Sequence, residues 1–288
     1  MPRATHRPQD ILFTLFGEYF LDRPDPVWVG ALIELLHSFD LSEGAVRTAL
    51  SRMSQKGWLV SSRRGRNAFY DLSEKGTRLL EEGKERIFHP PTDRPWDGKW
   101  FLLAYSIPEE QRHLRDRMRT RLAWLGCGSV GNGLWISPHA VADPVLRIAR
   151  HLGITDRLEM FEAHRLGGGS PHELVAKCWD LPAIHERYQA FIGRWAPRVD
   201  ECRTRLRAGD MSDADCFALR FHLIHEYQSF PLEDPFLPKV LLPGDWAGEC
   251  ASEMVHALHD LLAGPAEAHV DEVLRRAPAP PVAAGGVA

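Results

Sequence analysis

The sequence predicts an α+β chain in three folded segments, and three observations carry that prediction. First, three stretches with apolar residues at helical spacing precede two short alternating stretches around "RRGR", all before residue 89. Second, the middle of the chain reads strand, helix, strand, strand, helix, strand. Third, the pattern beyond residue 170 is helical up to about residue 264. The segments are expected at 1–88, 99–169 and 170–264, with a linker at 89–98 and a disordered tail at 265–288.

In the first segment, "PQDILFTLFGEYFL" carries Ile11, Leu12, Leu15, Phe16 and Tyr19 on one helical face and stops at the turn-rich "DRPDP". "VWVGALIELLHSF" is a second helix. "DLSEGAVRTALSRMSQKG" is a third, with Ser42 as N-cap and Gly57 as stop. "WLVSS" and "NAFYDLS" are then two strands of a hairpin with Gly65 at its tip, and a further helix starts at Ser73. Three helices followed by a β-hairpin is the order of a winged helix-turn-helix. "HPPTDRPWDG" (His89–Gly98) holds three prolines without apolar periodicity and reads as a linker.

The middle segment opens with the strand "KWFLLAYSI" and the charged helix "PEEQRHLRDRMRTRLAWLG". A hairpin "CGSV…GLWIS" turning at "GN", the helix "ADPVLRIARHLG" and the strand "RLEMFEAHRL" follow. This βαββαβ order is ferredoxin-like. "GGGSP" (Gly167–Pro171) reads as an interdomain hinge, and Ser170 with Glu173 has capping-box spacing for the next helix. The ending "RRAPAPPVAAGGVA" is rich in Pro, Ala and Gly.

Charge separates one stretch from the rest. The 288 residues carry 35 Lys+Arg and 39 Asp+Glu, a net charge of −4. Gly44–Tyr70 carries six basic side chains and no acid, so the other 261 residues stand at −10. On the third helix, Val46, Ala49, Leu50 and Met53 form an apolar stripe. Arg47, Thr48, Ser51, Arg52 and Gln55 fall on another face that donates to phosphates and base edges. Arg63, Arg64 and Arg66 surround the hairpin tip, where a wing reaches the DNA backbone or minor groove. Ser42, Lys56 and Asn67 border these two groups and complete the expected DNA-contact set. The bland alternative is a solvated basic face and a basic turn. Coincidence of helix, hairpin and charge favours DNA.

Other motifs point to less. The five cysteines are odd in number, scattered and without a CxxC pair, so neither a disulfide framework nor a zinc cluster is expected. "FHLIHEY" puts His222, His225 and Glu226 on one helical face, but no second ligand cluster accompanies them. "YSIPE" has Ser106 where ferredoxin-like nucleases of the CRISPR-associated type end the strand in a metal-holding acid, so this domain reads as a scaffold or dimerisation module. "LGGGS" lacks the phosphate-loop Lys-Ser/Thr. Trp100 and Trp135 read as core before pocket. No cofactor, metal or catalytic residue is expected, no apolar run is long enough to span a bilayer, and the N-terminus has no signal core. A cytoplasmic protein is the expectation. The readings set aside are a nucleic-acid-processing enzyme and an enzyme acting on acyl-thioesters.

"ILFTLFGEYF", "LSEGAVRTALSRMSQKGWL", "GLWISP", "CWDLPAIHERYQAFI" and "DPFLPKVLLPGDWAGECA" occur in an order that resembles the phenylacetate-degradation repressor (PaaX) family, from about Gln9 to about Leu262. The resemblance implies a homodimeric transcriptional repressor, and two heads on a twofold axis are expected to read an inverted-repeat operator. It also implies release by an acyl-coenzyme A effector such as phenylacetyl-coenzyme A. It does not identify the effector residues. Residues of suitable chemistry for a phosphate-bearing aromatic thioester are Arg119, Arg121, Trp135, Arg220, His222 and His225.

Overall fold

The computed structural model describes residues 7–89 and 95–278. The chain forms two compact units, each assembled from discontinuous segments. One holds residues up to His89 with Trp195–Tyr227 and residues from Glu253 onward. The other holds Pro90–Arg194 and Gln228–Ser252.

In the first unit, α1 (Pro8–Leu15) runs into a π-helical turn at Phe16–Phe20. β1 (Val27–Trp28), α2 (Val29–Leu36), α3 (Glu43–Gln55), β2 (Leu59–Arg64), β3 (Asn67–Leu72) and α4 (Glu74–Phe88) follow. Each boundary has a local cause. The Ser42 hydroxyl accepts the Ala45 N–H at 3.2 Å and starts α3, and Gly57 ends that helix at φ +72°. The Ser73 hydroxyl caps α4 through the Gly76 N–H at 3.0 Å. A Cβ at Gly76 would lie 2.2 Å from the Trp58 carbonyl oxygen, so only glycine lets this helix start against the strand. The three strands form an antiparallel sheet in the order β1-β3-β2.

The core of this unit joins Leu12, Leu15, Phe16, Leu32, Leu35, Val46, Leu50 and Met53 to Phe217 and Phe221 of α9 (Asp213–Tyr227). Ala266, Val270 and Val273 of α11 (Ala247–Arg275) complete it. This corrects the expected disordered tail. Residues 265–275 continue α11 through Pro265, because apolar side chains at spacings of three and four bury there; residues 279–288 lie outside the described residues.

In the second unit, β4 (Trp100–Tyr105), α5 (Arg112–Trp124), β5 (Gly128–Gly131), β6 (Leu134–Ser137), α6 (Ala142–Leu152) and β7 (Leu158–Ala163) follow one another. The four strands form one antiparallel sheet in the order β5-β6-β4-β7. Asn132 and Gly133, both at positive φ, turn the β5–β6 hairpin. One sheet face packs Phe101, Leu103 and Trp135 against Met118 and Leu122 of α5 and Val145 and Ala149 of α6. The other packs Trp100 and Ile136 under α7 (Pro171–Cys178) and Leu237 and Leu241. Trp100 and Trp135 are therefore both buried, on opposite faces of the sheet, and line no common pocket. The "GGGSP" segment lies within this unit and is not a hinge between the two. Of the expected linker, residues 90–94 fall outside the described residues. Trp96 packs edge-on to Trp100 at 5.0 Å and belongs to this unit's core.

α8 (Leu181–Ala208) and α10 (Phe230–Glu233) complete the helices, so the helical residues after 170 contribute to both units. The two segments most specific to the family resemblance meet inside the second unit. The Tyr188 hydroxyl donates to the buried Asp234 carboxylate at 2.9 Å, and Asp234 accepts the Phe236 N–H at 2.7 Å. The Tyr188 ring stands edge-on to Trp246 at 5.9 Å. These segments build a structural joint.

Candidate nucleic-acid interface

α3 is sorted by its periodicity. Val46, Leu50 and Met53 are wholly buried and Ala49 nearly so. Arg47, Thr48, Ser51, Arg52, Gln55 and Lys56 are all exposed. The apolar stripe seats the helix on α1 and α2 and presents the polar face outward.

The hairpin positions its arginines just as locally. Arg63 pairs with Ala68 and Arg64 with Asn67, which leaves Gly65 and Arg66 as a two-residue turn. Gly65 has φ +59° and Arg66 has no positive φ, the pattern of a type II′ turn that matches the strands' twist. Arg63, Arg64 and Arg66 are exposed and Asn67 is half-buried. Consecutive Arg63 and Arg64 project to opposite faces of the ribbon.

The expected contacts are not equivalent. Arg47 is held by Glu43, one turn earlier, at 2.7 Å, so its charge is partly answered within the helix. Ser42 spends its hydroxyl on the cap. Lys56 reaches back to Gln9 at 3.3 Å and stands 4.8 Å over the Trp58 ring, which makes it a brace of the helix end. Arg52, Arg63 and Arg66 have no carboxylate partner among the described residues. Thr48, Ser51 and Gln55 add neutral donors and acceptors beside Arg52.

The six effector candidates fall into both units. Arg119 and Arg121 are exposed on α5, and Trp135 is buried beneath that helix's layer. Arg220, His222 and His225 lie on α9 in the other unit. Arg220 is buried and ion-paired to Glu18 at 2.9 Å. The same Glu18 carboxylate accepts from the His259 ring, and Arg220 Nε donates to the His259 carbonyl at 3.2 Å. The buried His225 ring bonds the Thr14 hydroxyl at 2.7 Å, and Glu226 accepts the Trp195 indole N–H at 2.8 Å. His222 is exposed, its ring 4.8 Å from that of Phe39. Thus Arg220 and His225 tie α9 to α1 and the π-helical turn.

Sequence reasoning missed Glu18 and His259. Their signal is charge inside apolar helices, and the two lie 241 residues apart in sequence. It also missed a cavity of about 240 Å³ whose walls include Phe20, Arg23, Asp25, Trp28, Phe69 and Leu274. None of the six candidates lines it.

Among the described residues no group of three or more His, Cys, Asp or Glu is arranged to hold a metal ion. Burial pushes the Cys127 thiol up to about 12 and that of Cys216 to about 11, and it raises Cys178 and Cys202 as well. These four are packing residues with little thiolate at neutral pH. No helix among the described residues is long and apolar enough to cross a membrane.

Three family models match consecutive parts of the chain: "PaaX-like protein" over residues 7–76, "PaaX protein central Cas2-like domain" over 93–175 and "PaaX-like protein C-terminal domain" over 179–272. A curated relative, the transcriptional repressor PaaX of Escherichia coli (strain K12), is 33% identical over 266 residues, which cover 91% of this chain and 82% of that one. A solved structure, the uncharacterized protein Rv0674 from Mycobacterium tuberculosis, superposes with a TM-score of 0.59 at 25% identity, over 93% of this chain and 98% of that chain. With an outward cationic helix face on such a scaffold, the chain is a regulator of transcription and not an enzyme. It belongs to the PaaX family.

Proposed function

We propose that the chain is a homodimeric winged helix-turn-helix repressor that leaves its operator when it binds an acyl-coenzyme A, with phenylacetyl-coenzyme A as the first ligand to test. One observation carries the DNA-binding part. The exposed face of α3, with Arg52 held by no carboxylate among the described residues, continues in chain order into a hairpin whose turn is made of Gly65 and Arg66. In this reading α2 and α3 are the helix-turn-helix, and Asp40 in the left-handed region at φ 58° makes the turn between them. β2 and β3 are the wing. The sheet order β5-β6-β4-β7, reached through the sequence βαββαβ, fits a ferredoxin-like scaffold that joins two copies. Two heads on a twofold axis read an inverted repeat.

The relative's name supports repression, and the family resemblance supplies the ligand class. Release follows if the effector binds the DNA-free arrangement more tightly. A hundredfold loss of operator affinity needs about 2.7 kcal/mol of differential binding. A band-shift on the DNA upstream of the protein's own gene tests this, with phenylacetyl-coenzyme A titrated into the complex. The expected result is loss of the shifted band at saturating thioester and none with phenylacetate alone. A band that persists at saturation rejects this effector.

A further inference from the structure

Outside the DNA-binding head, positive charge concentrates on α5. Between Arg112 and Arg121 five arginines stand with one acid, Asp116. Two are answered locally: Arg112 lies 3.7 Å from Asp116 and Arg115 lies 2.8 Å from Glu109. Arg117, Arg119 and Arg121 are exposed, and no carboxylate among the described residues holds them. Met118 and Leu122 already seat the helix on the sheet, so packing does not require these arginines. Arg115 with Arg119, and Arg117 with Arg121, are like charges one turn apart, an arrangement unfavourable to an isolated helix. α6 shares the same core layer and adds Arg147 and Arg150, which are also exposed and without a carboxylate partner among the described residues.

We propose that the outer surface of α5 and α6 is a second nucleic-acid contact, which binds the phosphate backbone of duplex DNA without regard to sequence. Guanidinium forks match phosphate oxygens in pairs. Small phosphorylated ligands are held in concave sites, where polar groups converge. These five arginines instead spread over the outward faces of two helices. Exposed guanidinium groups distributed over outward helix faces are complementary to an extended polyanion. The inference rests on the DNA-binding reading above and adds to it a contact from the central sheet domain, which raises affinity for all duplexes equally.

The test compares the full-length chain with Arg117→Gln/Arg119→Gln/Arg121→Gln, three exposed positions that keep helix propensity. Binding to the upstream duplex and to a scrambled duplex is measured across a salt titration. The expected result is an affinity for both duplexes lower by about tenfold or more, and a log–log salt slope shallower by about 2–3 if each arginine neutralises one phosphate. An unchanged slope in a variant whose parent binds DNA overturns the surface and leaves the winged-helix reading intact. A parent that binds neither duplex overturns both. A variant that keeps its salt slope but loses binding to coenzyme A in calorimetry makes these arginines a small-ligand site and overturns the proposal.

Discussion

Replacing Glu18 by alanine is expected to lower the stability of the first unit by about 3–5 kcal/mol, the cost of stripping a buried charge of its partner. The Glu18 and Arg220 side chains are each 6% exposed and 2.9 Å apart. His259, 14% exposed, shares the same carboxylate oxygen. Without Glu18, the Arg220 guanidinium stays behind the Tyr19 ring, 5.3 Å from its centre, with no compensating anion. Glu18→Gln keeps an acceptor but not the charge and falls between. Urea unfolding reads the difference, with the first unit's transition followed separately because two units need not melt together. A loss below about 1 kcal/mol for Glu18→Ala would show the pair to be solvated, as surface pairs are.

Removing Arg52 and Arg64 together, each to alanine, is expected to weaken operator binding by at least about 2 kcal/mol, roughly thirtyfold, while the fold stays intact. A base contact from Arg52 is worth about 1–3 kcal/mol and carries sequence preference. A backbone contact from Arg64 carries none, and its loss reduces the salt slope by about 0.9. Both side chains are exposed and neither belongs to the unit's apolar core, so the melting curve should not move. Arg47 is the poorer choice of probe, because Glu43 already binds it. Equal affinity of variant and parent would remove α3 and the wing from the interface.

Local chemistry explains what was legible in the sequence. Ser42, Gly57, Gly65 and Ser73 act within three or four residues of themselves, so α3, the hairpin and the start of α4 followed from short-range rules. The stripe Val46–Ala49–Leu50–Met53 assigned the exposed face of α3 because one helix side must be buried. Long-range pairing was not legible. Glu18 meets Arg220 and His259 only after the first and last thirds of the chain fold into one unit, and nothing near Glu18 signals it. Nor was it legible that Arg220 and His225, expected among the effector candidates, are buried and bonded to Glu18 and Thr14. The helical pattern was expected to end near residue 264, yet Ala266, Val270 and Val273 are buried beyond it and carry α11 to Arg275. The arginines of α5 were visible as a charged helix. Their significance needed the fold, which shows two of five paired and three left to solvent.

The most direct test of sequence-specific repression is competition. The full-length chain is bound to the labelled duplex upstream of its own gene and challenged with unlabelled copies of that duplex or of a scrambled one. The upstream competitor is expected to displace the label at concentrations about a thousandfold or more below the scrambled one. Removing Arg52 and Arg64 is expected to narrow this ratio. Equal displacement by both competitors would contradict it.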